Sequence, residues 1–234
     1  MIFDFERRPS NSPFIEAIWR NRCESGGSFI SAAVGHWAMV VTRYNGNVTL
    51  TFRGPETRAT TAYCPPGAEH FGLYFKMGSF MPYLPASQLR DGAVTLPESI
   101  GRSFWLQGAS WQIPEYENLE VFVDRLVREG LLVREPLIDT ALRGYPTDLS
   151  VRSIQRKFLQ ATGLTHGAIS QIDRARHATL LLQQGTSILD TVYQAGYADQ
   201  PHLTRSLKYY IGQTPAQLLR EHGSTQLSFL FKTI

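Results

Sequence analysis

Gln155 and Arg156 follow Arg152 at offsets of three and four residues, and Gln200, His202, Thr204, Arg205 and Lys208 form a second polar set some fifty positions later. The types matter as much as the spacing. An arginine can donate two hydrogen bonds to O6 and N7 of guanine, and a glutamine can pair with N6 and N7 of adenine. On one face of a helix, Arg152, Gln155 and Arg156 are candidates for base edges in a major groove. Thr204 and Lys208 suit the phosphates beside it.

Such side chains act only if helices hold them outward. In the second set, Ser187 can cap a helix whose apolar positions Ile188, Leu189, Val192 and Ala195 recur at helical steps. Gly196 then supplies the positive φ of a sharp reversal, and Asp199 caps a helix from about Gln200 to Tyr210. Its inner face is Leu203, Leu207 and Tyr210, which leaves the polar set outside. The first set repeats this plan less completely. Pro136, Leu137, Ile138, Ala141 and Leu142 predict a short helix stopped by Gly144 and Pro146; Ser150 or Asp148 caps the next, with Ile154, Phe158 and Leu159 as its apolar stripe and Gly163 at its end. Between the units, Ala168 to Gln184 reads as one helix on Ile169, Ile172, Ala175, Leu180 and Leu182. It spans on the order of 25 Å, so two helix-turn-helix units can face successive major-groove segments, which recur every ~34 Å.

These residues resemble the DNA-binding domain of the AraC-type (AraC/XylS) transcription regulators. The resemblance rests on Ser150, Gln155, Arg156, Phe158 and Gly163 in the first unit and on Arg174, Ala178, Leu181 and Leu182 in the connecting helix. In the second unit it rests on Ile188, Gly196, Tyr197, Leu203, Arg205, Gly212, Thr214 and Pro215. It departs at Thr191, Val192, Leu207 and His166, mainly packing positions. The resemblance implies base contacts from Gln200, Pro201, His202 and Arg205, and double-stranded DNA as the partner of a transcription regulator, an activator among the roles. It leaves open RNA polymerase, a small-molecule effector and a second copy of the chain as further partners.

The chain has 234 residues, enough for two domains. From Arg143 onward there are ten Lys and Arg against five Asp and Glu, a balance of +5, whereas residues 1–142 carry thirteen against fifteen. Positive charge therefore collects where a polyanion would need it. No run of about 18 uncharged apolar residues occurs, and the N-terminus lacks a basic region followed by an apolar stretch; a soluble, cytoplasmic protein without membrane association is expected. The two cysteines, Cys23 and Cys64, are too few for a disulfide framework and read as reduced thiols.

The N-terminal part reads as β-structure. Met39–Tyr44 and Val48–Phe52 flank Asn45 and Gly46, a pair suited to a type I′ turn, with Val48, Leu50 and Phe52 inward and Thr49 and Thr51 wetted. Further strands are expected at Phe29–Val34, Ala59–Tyr63 and Phe71–Lys76, and an irregular loop from Gly78 to Pro97. Short strands joined by turns suggest a small barrel or sandwich; the resemblance implies a cupin-like sensor or oligomerisation domain. Trp37, Phe71, Tyr74, Phe75, Phe104, Trp105 and Trp111 are candidates to line an effector pocket, with a plain core as the competing reading. His36, His70 and Glu69 lack a third suitably spaced histidine, so no metal and no cofactor is assigned, and surface or hydrogen-bonded histidines are expected. A helix from about Asn118 to Leu131 should end at Gly130.

The expected class is α+β: residues 1–117 a β-rich sensor or oligomerisation domain, 118–135 helix and linker, 136–222 a double helix-turn-helix domain, and 223–234 an apolar tail. The function expected is sequence-specific DNA binding, not enzymatic. The alternative is a metal-dependent cupin-type enzyme whose helical domain is a partner surface.

Overall fold

The structure, a computed structural model, describes residues 3–99, 102–142 and 150–220. In chain order the first part contains β1 (Phe3–Arg8), β2 (Ile15–Cys23), β3 (Gly27–Ser31), β4 (Ala38–Tyr44), β5 (Asn47–Arg53), β6 (Thr60–Cys64), β7 (Glu69–Phe75), β8 (Ser79–Phe80), β9 (Ala93–Thr95), β10 (Glu98–Ser99), β11 (Ser103–Leu106) and β12 (Ala109–Gln112). Then come α1 (Leu119–Arg128), β13 (Val133–Arg134) and α2 (Leu137–Leu142), followed by α3 (Val151–Thr162), α4 (His166–Gln183), α5 (Ile188–Gln194), α6 (Gln200–Tyr210) and α7 (Pro215–Arg220). The fold is α+β, with the sheets N-terminal and the helices C-terminal.

Six strands form one antiparallel sheet in the order β1-β2-β7-β4-β5-β9. The β4–β5 turn has both Asn45 (φ 50°) and Gly46 (φ 80°) in the left-handed region, as a type I′ hairpin requires. Side chains alternate across this sheet. Met39, Val41, Leu50, Phe52, Leu73 and Phe75 point to one side, into a core completed by α1. Along α1, Leu119, Phe122, Val123 and Leu126 recur at helical steps and are all buried, each contributing roughly 1.5–3 kcal/mol of apolar burial. Gly130 (φ 68°) ends the turn after it.

The opposite side of the sheet is covered by a separate two-stranded ribbon, β3 paired with β6, whose strands flank β4 and β5 in sequence. This changes the face expected to be wetted: Thr51 is half-buried and, with Ala38, Val40 and Thr42, lines a partly open space beneath that ribbon. Strands β1 and β2 and the β10–β12 sheet were not expected. The Gly78–Pro97 stretch is not wholly irregular either, since β9 pairs with β5 to extend the sheet.

Chain segments after α1 return to the β part. Strand β13 pairs with β8, and the Glu135 amide donates to the Gly78 carbonyl at 2.9 Å. Two consecutive residues beyond β3 then enter different helical cores. Ala32 packs with Ala175, Leu182, Leu203 and Leu207, whereas Ala33 packs with Ile138, Phe158, Ile169 and Ile172. Among the described residues no helix is long and apolar enough to cross a membrane. The stop at Gly144 and Pro146, Asp148 and the apolar tail lie outside the described residues.

Candidate nucleic-acid interface

Each polar-faced helix begins at a side-chain cap. Ser150 Oγ accepts from the Ser153 amide at 3.2 Å, and Asp199 Oδ1 accepts from the His202 amide at 2.6 Å. These bonds satisfy donors that a helix start leaves orphaned and set where each helix begins. Asp199 does so immediately before Gln200 and Pro201; proline at a first turn lacks only an amide that would go unbonded. The preceding helix α5 is capped in the same way by Ser187, and Gly196 (φ 68°) makes the reversal.

On α3, Arg152, Gln155 and Arg156 are all exposed, while Phe158, Ala161 and Thr162 are buried. Leu159 is a correction: expected on the apolar stripe, it is 43% exposed, because it follows Phe158 by one residue and is rotated about 100° from the buried line. Leu189 on α5 is corrected for the same reason. It is exposed, and the buried line runs through Thr191 and Ala195, flanked by the partly buried Ile188 and Val192.

On α6, Gln200, Pro201, Thr204 and Arg205 together line one shallow open recess. Lys208 is exposed one turn on. His202 differs from the expected outward aim. It is half-buried, its ring meets Tyr197 edge-on at 5.1 Å, and its Nδ1 lies 3.5 Å from the Ala198 amide.

A chain of contacts ties this surface to α4. The Arg174 guanidinium lies 4.7 Å from the Tyr197 ring centroid, bonds Gln171, and donates to the Gly196 carbonyl at 3.3 Å. Burial raises the Tyr197 phenol, which stays neutral and shares a 2.9 Å hydrogen bond with Ser206 of α6. Arg174 thus serves the geometry of the turn.

Residues 147–221 match the family model described as "Helix-turn-helix domain". The helical part is an AraC-type helix-turn-helix domain. A domain of this type binds DNA. Comparisons with curated proteins and with solved structures return no match.

The AraC-type domain does not stand clear of the sheet. The far ends of α3 and α6 are both seated on the β part. At α3, Gly163 adopts φ 74° so close to Ala86 that a Cβ there would lie 2.6 Å from the Ala86 carbonyl oxygen. At α6, the last carbonyls accept from sheet amides: Ala33 donates to Tyr210 at 2.7 Å and Ala59 to Tyr209 at 2.8 Å. Carbonyls that a helix C-terminus leaves unbonded are thereby satisfied from another part of the chain.

The space under the β3–β6 ribbon is a cavity of about 260 Å³. Of the seven aromatics expected to line an effector pocket, Tyr74 alone lines this cavity. Trp37, Phe71, Phe75, Phe104 and Trp111 belong to the core around α1, and Trp105 is 49% exposed. Strand β7 is buried on both faces, so its composition does not tell which face is core. Trp19 of β2, stacked on Tyr74 at 5.7 Å, was the aromatic wall missed; its signal was alternation with Ala17, Asn21 and Cys23.

His36 and His70 both line this cavity. His70 is hydrogen-bonded, its Nδ1 to Thr42 at 3.0 Å and its Nε2 to Cys64 Sγ at 3.4 Å. His36 is not a surface residue with solvated nitrogens: Nε2 is buried without a hydrogen-bond partner, and burial, with Arg176 and Arg7 nearby, lowers its pKa to about 3. Glu69 instead faces Arg22 at 3.7 Å. Among the described residues no three or more His, Cys, Asp or Glu are grouped to hold a metal ion. Cys23 and Cys64 are free and share a buried cluster, and burial followed by the neighbouring Cys23 pushes the Cys64 thiol up to about 12.

Proposed function

We propose that this regulator reads two successive major-groove segments, α3 through Arg152, Gln155 and Arg156 and α6 through Gln200, Pro201 and Arg205, with Thr204 and Lys208 on phosphates and His202, turned against Tyr197, bracing the start of α6. One observation carries the reading. Both helices present capped N-terminal halves rich in these donors while their C-terminal ends are buried against the protein, which is the orientation in which a reading helix contacts base edges. The α4 rod, 18 residues long, spans about 27 Å and suits that spacing.

The test is selection of binding sites from random duplexes, followed by substitution. Arg205→Ala is expected to cost ~1–3 kcal/mol on the selected site and to relax preference at one base, whereas Lys208→Ala weakens all sequences alike and lowers the salt slope by about one. Equal losses on selected and random duplexes for Arg205→Ala would remove it from the base-reading set.

The reading includes a small effector in the β-part cavity. Its support is continuity of chain: Ser31 and Glu56 line the cavity and are hydrogen-bonded at 2.7 Å. Two and three residues further along, Ala33 and Ala59 hold the end of α6. An occupant that shifts the β3–β6 ribbon changes the seat of α6, and so biases the equilibrium between DNA-competent and other arrangements. Unchanged DNA affinity with the cavity filled by a bulky substitution would count against it.

A further inference from the structure

The cavity's own chemistry narrows the ligand. Its walls are largely apolar and ringed by aromatics, with Trp19 and Tyr74 stacked along one side and Phe29 on the ribbon. The charged groups on its lining, Arg53 and Glu56, already close on each other at 2.7 Å, and Ser31 donates to the same carboxylate. His70 is engaged at both nitrogens. What remains unanswered is a pair of buried polar atoms, Asn21 Oδ1 and His36 Nε2, which have no hydrogen-bond partner although each residue faces the cavity. Asn21 is only 6% exposed. An orphaned buried acceptor is costly in a folded chain and is answered by something that binds it.

We propose that the cavity takes a small, uncharged aromatic molecule bearing a hydrogen-bond donor, its ring against Trp19 and Tyr74 and its donor on Asn21. The inference rests on the effector reading above and names the ligand class for that site. Aromatic rings prefer offset or edge arrangements with such walls, which favours an arene over an aliphatic chain. A charged ligand would lose its hydration and find no unpaired counter-charge, since the Arg53–Glu56 pair is closed and His36 is held neutral by its burial. Asn21 and His36 give orientation, as a few polar groups do in a mostly apolar site.

The experiment uses the full chain with four probes of similar size: 4-ethylphenol, ethylbenzene, 4-methylbenzoate and 4-methylbenzylamine. Affinity is measured by calorimetric titration, and anisotropy on a labelled duplex from the selection is read in the same samples. 4-Ethylphenol is expected to bind at least tenfold tighter than either charged probe and about fivefold tighter than ethylbenzene. Asn21→Leu should bring the two uncharged probes level, and Ala62→Phe, which fills the space from the ribbon side, should abolish binding of both with the far-ultraviolet dichroism unchanged. A charged probe binding as tightly as 4-ethylphenol overturns the ligand class. So does the absence of saturable binding of both uncharged probes, or affinity that survives Ala62→Phe. 4-Ethylphenol binding that leaves duplex affinity unchanged supports the ligand class and defeats the effector reading alone.

Discussion

The two helix-turn-helix units share a plan but not a foundation. The second takes its caps and its turn from its own residues: Ser187 and Asp199 cap its helices, Gly196 makes its turn, and Arg174, Tyr197 and Ser206 link α4 to α6, while the β part adds Ala32 to its core and two amides at the end of α6. The first is finished by the sheet. Its core around Phe158 includes Ala33 and is joined by Met77 and Phe80, its helix end abuts Ala86, and Lys157 pairs with Glu135. Local signals therefore set the direction of α6, whereas α3 depends on residues more than seventy positions away. The N-terminal part thus enters the core of α3, and it reaches α6 chiefly at its last turn, through the Ala33 and Ala59 amides.

The largest expected effect tests that shared core. Phe158 is fully buried, so Phe158→Ala should cost about 3–5 kcal/mol in denaturant unfolding. Because the core around Phe158 is distinct from the one under α6, amide exchange should accelerate in α3 while α6 keeps its protection. Equal acceleration in α6 would show that the units are not separately founded.

Acid should loosen the same junction. Arg7, Asp173, Arg176 and Leu142 of α2 share with His36 and Tyr74 a cleft between the sheet and the helices. The His36 pKa falls to about 3 in the folded chain from an ordinary value near 6.5, so between these the unfolded chain binds the extra proton. Stability from this group is complete above about pH 6.5 and is lost as pH falls, by about 3 kcal/mol at pH 4. His70, also lowered by burial, acts in the same direction, and Asp173, raised by burial, opposes it at the acid end. His36→Asn should flatten the fall of melting temperature from pH 7 to 4; an unchanged slope would mean that His36 is not the buried neutral group described.

The two turn glycines give a sharper contrast at smaller scale. Gly163 and Gly196 have φ of 74° and 68°, yet a Cβ at Gly163 would meet Ala86 while one at Gly196 would meet nothing within 4 Å. Gly196→Ala should cost about 1 kcal/mol, the left-handed backbone penalty alone. Gly163→Ala should cost clearly more, because the Ala86 backbone must also move. Equal losses in thermal unfolding would place the first unit's end free of the sheet.

How much was readable in advance follows the same division. Ser187, Gly196 and Asp199 act within a few residues of themselves, so α5 and α6 were legible nearly to their ends. The β4–β5 hairpin was legible for the same reason, through Asn45 and Gly46. The cavity was not. On β7, Leu73 and Tyr74 are both buried, one toward α1 and one toward the β3–β6 ribbon, so the alternation that marks a half-exposed strand is absent. Only that covering ribbon decides which aromatics are core and which are wall. Leu159 and Leu189 misled in the opposite way, since apolar identity outweighed an angular offset of one residue.

The smallest effect concerns the ion pair that ties the first unit to the chain before α2. Lys157 Nζ lies 2.5 Å from Glu135 Oε2, with the two side chains 34% and 23% exposed. Partial solvent access screens such a pair, so Lys157→Gln should lower stability by only about 0.2–1 kcal/mol. Glu135 has a second task, because its backbone amide also holds Gly78 and its carboxylate accepts from the Leu137 amide at 3.3 Å. Glu135→Gln should therefore retain most of that local geometry while losing the charge, and the double substitution should cost little more than either single one. A coupling energy near zero in that double-mutant cycle would leave packing around Phe158 and Ala86 as the whole of what fixes α3, and a coupling above about 1 kcal/mol would make the ion pair a real part of its seat.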